Sequence, residues 1–226
     1  MWESVPEACR GGLLLGVGGT VGIGRTAMNN YHQKKSGSNL LKPIFLKGVS
    51  STPDEATGQV QLIPDVAFIR PHEGYAGHPG DSSLSSYEDF VVRIANAVIS
   101  QPQLFRTTAI VVTTDEGGGY YDSGYIQPLD FFGDGTRIPL LVISPWVEAG
   151  TVDHTYYDHA SILKFIEANW GLTPLSDRSR DRLPNPIASA SNPYVPVNGP
   201  ALGDLMTLFD FHHPRSQAPP IIPGGI

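Results

Sequence analysis

The chain has 226 residues, a length that suits one domain with its own hydrophobic core rather than two independent domains. Hydrophobic residues make up 40% and charged residues 16%, and the 25 glycines and 20 prolines predict many loops between short elements. The formal net charge of -7 argues against a nucleic-acid partner, which would require clustered lysine and arginine, and the single cysteine excludes an internal disulfide.

The N-terminal segment, residues 1–59, carries few periodic signals and is predicted to be irregular. Its apolar stretch, residues 11–24, is interrupted by glycines and preceded by charged residues, which disfavours a signal peptide. The chain contains no run of about 20 apolar residues, so no transmembrane segment is predicted.

Residues 60–226 are predicted to form an α/β domain with a parallel-sheet core and flanking helices, rich in loops. Apolar runs at 66–69 and 109–112 predict two buried strands, and apolar residues at helical spacing over 90–99 predict a helix between them, capped by Ser85 or Ser86. Strand, helix and strand in this order indicate a parallel crossover.

Two further elements follow in the chain. The apolar run 138–143 predicts a third strand. A second helix is predicted over 158–170, with Asp158 as its N-cap and Gly171 as its C-terminal stop.

Two adjacent carboxylates, Asp115 and Glu116, follow the strand at 109–112 and precede three glycines. Open parallel sheets bind ligands at the carboxyl ends of their strands, and a divalent cation would offset the repulsion between the two carboxylates. Acidic residues and glycines are equally common in turns, so the spacing also permits a purely structural turn.

Three histidines lie in comparable positions. His78 occupies the loop after the first predicted strand, where an imidazole could bind a metal or a phosphate oxygen, or could lie on the surface without function. His154 and His159 flank Asp158 at the start of the second helix, which fits either a phosphate contact or an ordinary helix cap. The residues leave these alternatives open.

These motifs, in this order, resemble the C-terminal half of the phosphoesterase family of bacterial phospholipases C and related acid phosphatases, in the alkaline-phosphatase-like superfamily. The matching motifs are PDVAFI at 64–69, GHPGDS at 77–82, DEGG at 115–118, GTRIPLLVISPW at 135–146, DHT at 153–155, DHASILKFIE at 158–167 and LFDF at 208–211.

The resemblance implies an alkaline-phosphatase-like fold and a hydrolase acting on phosphoric esters by metal-assisted attack on phosphorus. It implies that Asp115 and Glu116 ligate a divalent metal ion and that His78 is the catalytic histidine facing the substrate phosphate. The implied substrate is a phosphate ester, either a phospholipid or a phosphomonoester. The resemblance also implies a secreted or periplasmic location.

The sequence departs from the family pattern at two places. Nothing in residues 1–59 matches the N-terminal motif that supplies the first metal ligands and the Ser or Thr nucleophile, and Tyr121-Asp122 is followed by Ser123-Gly124 rather than by the family's histidine. We therefore expect this chain to carry part of an active site, with association through an uncovered sheet surface. The alternatives are a catalytically inactive truncated chain that binds metal or phosphate weakly, and a sulfatase-like or phosphomutase-like enzyme.

Overall fold

A mixed four-stranded sheet organises the residues that the computed structural model describes, which are 13–18, 65–120, 122 and 124–213. The strands are β1 (Leu13–Gly18), β2 (Val66–Ile69), β3 (Ala109–Thr114) and β4 (Leu140–Ile143). The helices are α1 (Leu84–Ile99), the short α2 (Pro102–Phe105) and α3 (His159–Trp170). The α/β class is confirmed, and no helix of the described ranges is long and apolar enough to cross a bilayer.

The sheet has the order β2-β1-β3-β4, in which β1 pairs parallel with both β2 and β3. The two predicted strands of the crossover therefore run parallel, but β1 lies between them. β4 pairs antiparallel with β3, so the sheet is mixed and the predicted parallel-sheet core does not extend to this edge. An apolar run of four residues indicates a buried strand without indicating its direction.

β1 lies inside the segment predicted to be irregular, and that prediction is wrong for Leu13–Gly18. Its sequence LLLGVG contains two glycines, and glycine weakens the sequence signal of a strand. The strand instead gains hydrogen bonds from neighbours on both sides. The remainder of the 1–59 segment, including the stretch considered for a signal peptide, lies outside the described residues.

Helix α1 covers one face of the sheet. It begins earlier than predicted, because the hydroxyl of Ser83 accepts a hydrogen bond from the amide of Ser86 at 3.1 Å and thereby caps the first turn. One hydrophobic core lies between the helix and the sheet. Its buried members are Ala67, Ile69, Phe90, Ala95, Val98, Ile99, Phe105, Ile110 and Val112.

Helix α3 covers the opposite face and has the predicted bounds. Asp158 caps it in a capping box with Ser161, and Gly171 ends it at φ 65°, in the left-handed region that favours glycine. Val111 of β3 packs here with Phe165, whose ring stacks on Phe209 at 4.9 Å. Strand β3 is thus buried on both faces, and this burial fixes the position of its carboxyl end.

Two cations attach the irregular C-terminal residues to this framework. The buried ammonium group of Lys164 donates hydrogen bonds to the carbonyl oxygens of Leu183 and Leu202 and to the side chain of Asn185. The guanidinium of Arg180 binds carboxylates near the start of α3.

The edges of the described sheet carry exposed apolar side chains. Phe68 of β2 is 58% exposed and Leu141 of β4 is 57% exposed. Unpaired edges with apolar side chains are sites at which chains associate. Association through this sheet surface stays a prediction.

Candidate functional site

The carboxyl ends of β2 and β3 lie at the same edge of the sheet, because both strands run parallel to β1. The loop after β2 carries His78, and the loop after β3 carries Asp115 and Glu116. The His78 Nε2 atom lies 4.0 Å from Glu116 Oε1. The structure therefore brings the histidine and the acidic pair together, although they are far apart in the chain.

The acidic loop, residues 115–119, forms a glycine-rich turn. The Tyr120 amide donates to the Gly117 carbonyl at 3.0 Å, and the Thr114 hydroxyl donates to the Glu116 carbonyl at 3.0 Å. A Cβ atom on Gly118, which has φ 59°, would lie 3.4 Å from the Pro79 ring. The two loops are in contact, so the turn itself holds the acidic pair beside the histidine loop.

A second carboxylate orients the imidazole of His78. Its Nδ1 atom lies 3.2 Å from Asp81 Oδ2, while Nε2 faces Glu116. The loop around it is closed by the Gly77 amide, which donates to the Ser82 hydroxyl at 2.7 Å, and by the Asp81 and Ser82 amides, which donate to the His78 carbonyl. A carboxylate on Nδ1 favours the Nδ1–H tautomer and fixes the ring plane.

The phenol of Tyr87 on helix α1 is partly buried and is influenced by the charge of Asp115. Burial and, second, the negative charge of Asp115 raise the pKa of Tyr87. The phenol therefore stays protonated at neutral pH, and its hydroxyl donates to the Thr113 carbonyl at 3.3 Å. This contact joins α1 to the end of strand β3, directly before the acidic pair.

The structure distinguishes the two histidines whose roles the residues left open. His159, the first residue of α3, places Nε2 at 2.8 Å from the Thr114 carbonyl, directly before the acidic pair. His154 instead packs edge-on against the ring of Tyr194, with centroids 4.6 Å apart. His159 lies in a recognisable motif of the sequence, but 45 residues separate it from Thr114 and no local pattern could predict the contact.

The threonines beside the acidic pair do not present free hydroxyls. Thr113 is 3% exposed and its hydroxyl contacts the Thr114 carbonyl, and the Thr114 hydroxyl contacts the Glu116 carbonyl. The other threonines considered as nucleophiles, Thr20 and Thr26, lie outside the described residues.

The donor atoms at this edge suit a divalent cation. Carboxylate oxygens are ligands of hard cations, and imidazole extends the choice to transition metals. Three side chains supply fewer ligands than the six or so of a complete shell. Among the residues that the structure describes, no group of three His, Cys, Asp or Glu side chains is close enough to enclose an ion. Asp115, Glu116 and His78 thus have the donor atoms that a cation prefers, but the three side chains are not close enough together to enclose one.

The chain is similar to a known protein family and to several named bacterial proteins. A model described as "Phosphoesterase family" matches residues 54–173. Non-hemolytic phospholipase C of Burkholderia pseudomallei is 27% identical in an alignment that covers 84% of this chain and 30% of that protein. Hemolytic phospholipase C of Pseudomonas aeruginosa is 28% identical over 176 residues, covering 68% and 22%, respectively.

Phospholipase C B of Mycobacterium tuberculosis is 28% identical over 189 residues, covering 71% of this chain and 34% of that protein. The chain therefore spans about a third or less of the length of the curated relatives it matches. The family match includes the His78 loop, the acidic pair and all of helix α3. The chain belongs to the phosphoesterase family.

Proposed function

We propose that this chain carries the metal-facing and phosphate-facing part of a phosphoric ester hydrolase of the phospholipase C or acid phosphatase type, on an alkaline-phosphatase-like fold. The observation that carries the proposal is the approach of His78 Nε2 to Glu116 Oε1, 4.0 Å apart at the carboxyl edge of the sheet. Family membership supports the reaction class. The names of the relatives support a phospholipid as the substrate.

In this proposal Asp115 and Glu116 hold a divalent cation. When bound, the cation would neutralise negative charge on the phosphoryl oxygens and on the attacking nucleophile. The chain's own groups place the two carboxylates: His159 holds the Thr114 carbonyl, and Tyr87 holds the Thr113 carbonyl. Both contacts fix the backbone immediately before the acidic pair.

His78 faces the substrate phosphate in this proposal. The side chains of His78 and Glu116 are 57% and 65% exposed, so an ester can reach both from solvent. With Asp81 on Nδ1, the imidazole can present Nε2 to a nonbridging oxygen or to the leaving group. Only the imidazolium, which carries a proton on both ring nitrogens, would donate from Nε2 and stabilise negative charge that develops there.

The first test is metal binding. We expect Asp115→Asn to weaken divalent-metal affinity at least about tenfold, because one charge and one ligand oxygen are lost. Calorimetry with Mn²⁺, Ca²⁺ and Zn²⁺ measures the affinities. The matched control is Asp177→Asn, which removes a carboxylate that is 89% exposed and paired with Arg182, and it should bind metal like the wild type. Equal affinities for all three proteins would show that the acidic pair belongs to a structural turn and does not bind the metal.

The second test is turnover. We expect the purified chain to hydrolyse p-nitrophenyl phosphate or p-nitrophenyl phosphorylcholine no faster than buffer containing the same metal. The reason is that the Thr113 and Thr114 hydroxyls are engaged with backbone carbonyls, and covalent catalysis needs an activated nucleophile. Metal-dependent hydrolysis that is lost in Asp115→Asn would contradict this expectation and identify the chain as a complete catalyst.

A further inference from the structure

Two adjacent phenylalanines, Phe131 and Phe132, project from the surface. They lie in the chain segment that connects the acidic loop to β4. They are 95% and 89% exposed, whereas the core phenylalanines Phe90, Phe105 and Phe165 are at most 7% exposed. The two rings contact each other edge to face, with centroids 5.4 Å apart. A pair of large aromatic side chains in water is costly, and such a pair usually marks a contact with another apolar phase or molecule.

The turn that presents these rings is held in one conformation. The Phe132 amide donates to Asp130 Oδ1 at 2.8 Å, and the Gly133 amide donates to the Asp130 carbonyl at 3.1 Å. The Arg180 guanidinium binds Asp130 at 2.7 Å and also donates to the Gly133 carbonyl. Because the turn is ordered in advance, a contact made by the rings costs little backbone entropy.

The charges around the rings favour an uncharged surface. Asp130 and Asp134 flank the pair, and both are paired with Arg180, whose hydrogen bond holds the pKa of Asp130 below its usual range. The chain as a whole has a formal net charge of -7, which gives it no attraction to anionic lipid. One guanidinium offsets only one carboxylate, so the flank stays net negative, and the aromatic side chains suit the headgroup level of a zwitterionic bilayer rather than an anionic one.

The same loop leads directly to the candidate site. Thr136 lies four residues after Phe132, which places the two at most about 14 Å apart along an extended chain. The Thr136 hydroxyl is so close to Gly117 that a Cβ atom there would lie 2.6 Å from it. Arg137, next in the chain, is fixed by Asp122 at 2.8 Å. A bilayer that accepts the rings would therefore bring lipid headgroups beside the acidic loop.

We propose that Phe131 and Phe132 form a membrane-interface anchor that inserts into a zwitterionic phospholipid surface and brings the candidate site to the headgroups. This inference rests on the proposed function, since it assigns a phospholipid at an interface as the substrate.

The experiment measures co-sedimentation of the full chain with phosphatidylcholine vesicles in buffer without divalent metal. We expect the double variant Phe131→Ser/Phe132→Ser to lose at least about tenfold in vesicle partitioning, because the transfer free energy of two aromatic rings is lost. The matched control is Val152→Ser/Leu175→Ser, which alters two apolar side chains that are 76% and 74% exposed elsewhere on the surface. Its partitioning should stay within about twofold of that of the wild type.

Three outcomes would overturn the anchor. The wild type and the Phe131→Ser/Phe132→Ser variant could partition equally, or the control could lose as much as that variant. Light scattering could also show a dimer that this variant converts to a monomer, without vesicle binding by the wild type, which would make a second copy the occupant. Thermal unfolding of each variant establishes that the fold is retained.

Asp115→Asn separates this inference from the proposed function. It should partition like the wild type, because the anchor does not depend on a bound metal. Vesicle binding with no metal binding by the wild type would contradict the proposed function, whereas the membrane contact of Phe131 and Phe132 would stand. Metal binding with no vesicle binding would sink the anchor alone.

Discussion

Replacing Arg180 with methionine should lower the free energy of unfolding by about 3 kcal/mol. The guanidinium contacts three carboxylates, those of Asp130, Asp134 and Asp158, at 2.7, 3.4 and 3.0 Å. Side-chain exposures of 16% for Asp134 and 9% for Asp158 mean that water could hydrate them poorly once the cation is gone. Removal of one partner from such a network leaves uncompensated charge in a poorly hydrated place.

The loss should also affect helix α3, because Asp158 is its N-cap and its Oδ2 atom is the one that Arg180 contacts. Equilibrium unfolding in urea measures the effect by linear extrapolation. Arg182→Met is the matched control, since Arg182 is 57% exposed and its partner Asp177 is 89% exposed. An exposed pair of this kind contributes at most about 1 kcal/mol, and often much less. Equal losses for the two variants would show that Arg180 is an ordinary surface residue.

The elements that the sequence predicted correctly are those with a strong local signal. Helix α3 has an apolar stripe between a capping aspartate and a terminal glycine, and β3 is a run of β-branched residues buried on both faces. The placement of the His78 loop and the acidic pair at one edge followed from the parallel direction of β2 and β3. Local patterns of this kind depend only on neighbouring residues.

The features that the sequence did not predict depend on contacts between distant residues. Strand β1 is stabilised by hydrogen bonds to β2 and β3, and its glycines concealed it. The direction of β4 is set by its register with β3. His159 contacts the Thr114 carbonyl, which is 45 residues away in the chain. Arg180 contacts carboxylates that are up to 50 residues away. Periodicity carries no information at that range.

Two buried carboxyl groups, Glu167 on α3 and Asp181 in the following loop, give the fold its own pH dependence. They are 7% and 4% exposed, and Glu167 Oε1 and Asp181 Oδ1 have no hydrogen-bond partner among the described residues. Burial and a hydrogen bond to Asp181 raise the pKa of Glu167 to about 7. Burial also opposes ionisation of Asp181, but donors that include the Leu175 amide hold its pKa below the usual range. The shared proton therefore lies on Glu167.

The wild type should lose up to about 3 kcal/mol of stability as the pH rises from 5 to 8. In the unfolded chain Glu167 has its ordinary pKa of 4.5, against about 7 in the fold, so the folded state holds one more proton between these values. The stabilisation is complete below pH 4.5 and is lost as the pH rises through 7, where a second negative charge forms beside Asp181. Lys164, the cation that faces Glu167, reduces this loss without removing it.

Glu167→Gln should make stability nearly independent of pH over this range, because an amide can donate to Asp181 but cannot ionise. At pH 8 the variant should be more stable than the wild type, by up to the same 3 kcal/mol or so. Urea unfolding at one-unit steps from pH 5 to 9 measures both proteins, and the difference between them isolates the contribution of Glu167. Glu88→Gln, at an exposed position on α1, is the control and should follow the wild type at every pH. If Glu167→Gln also follows the wild type, the proton is not shared, and both carboxyl groups are already ionised in the fold at neutral pH.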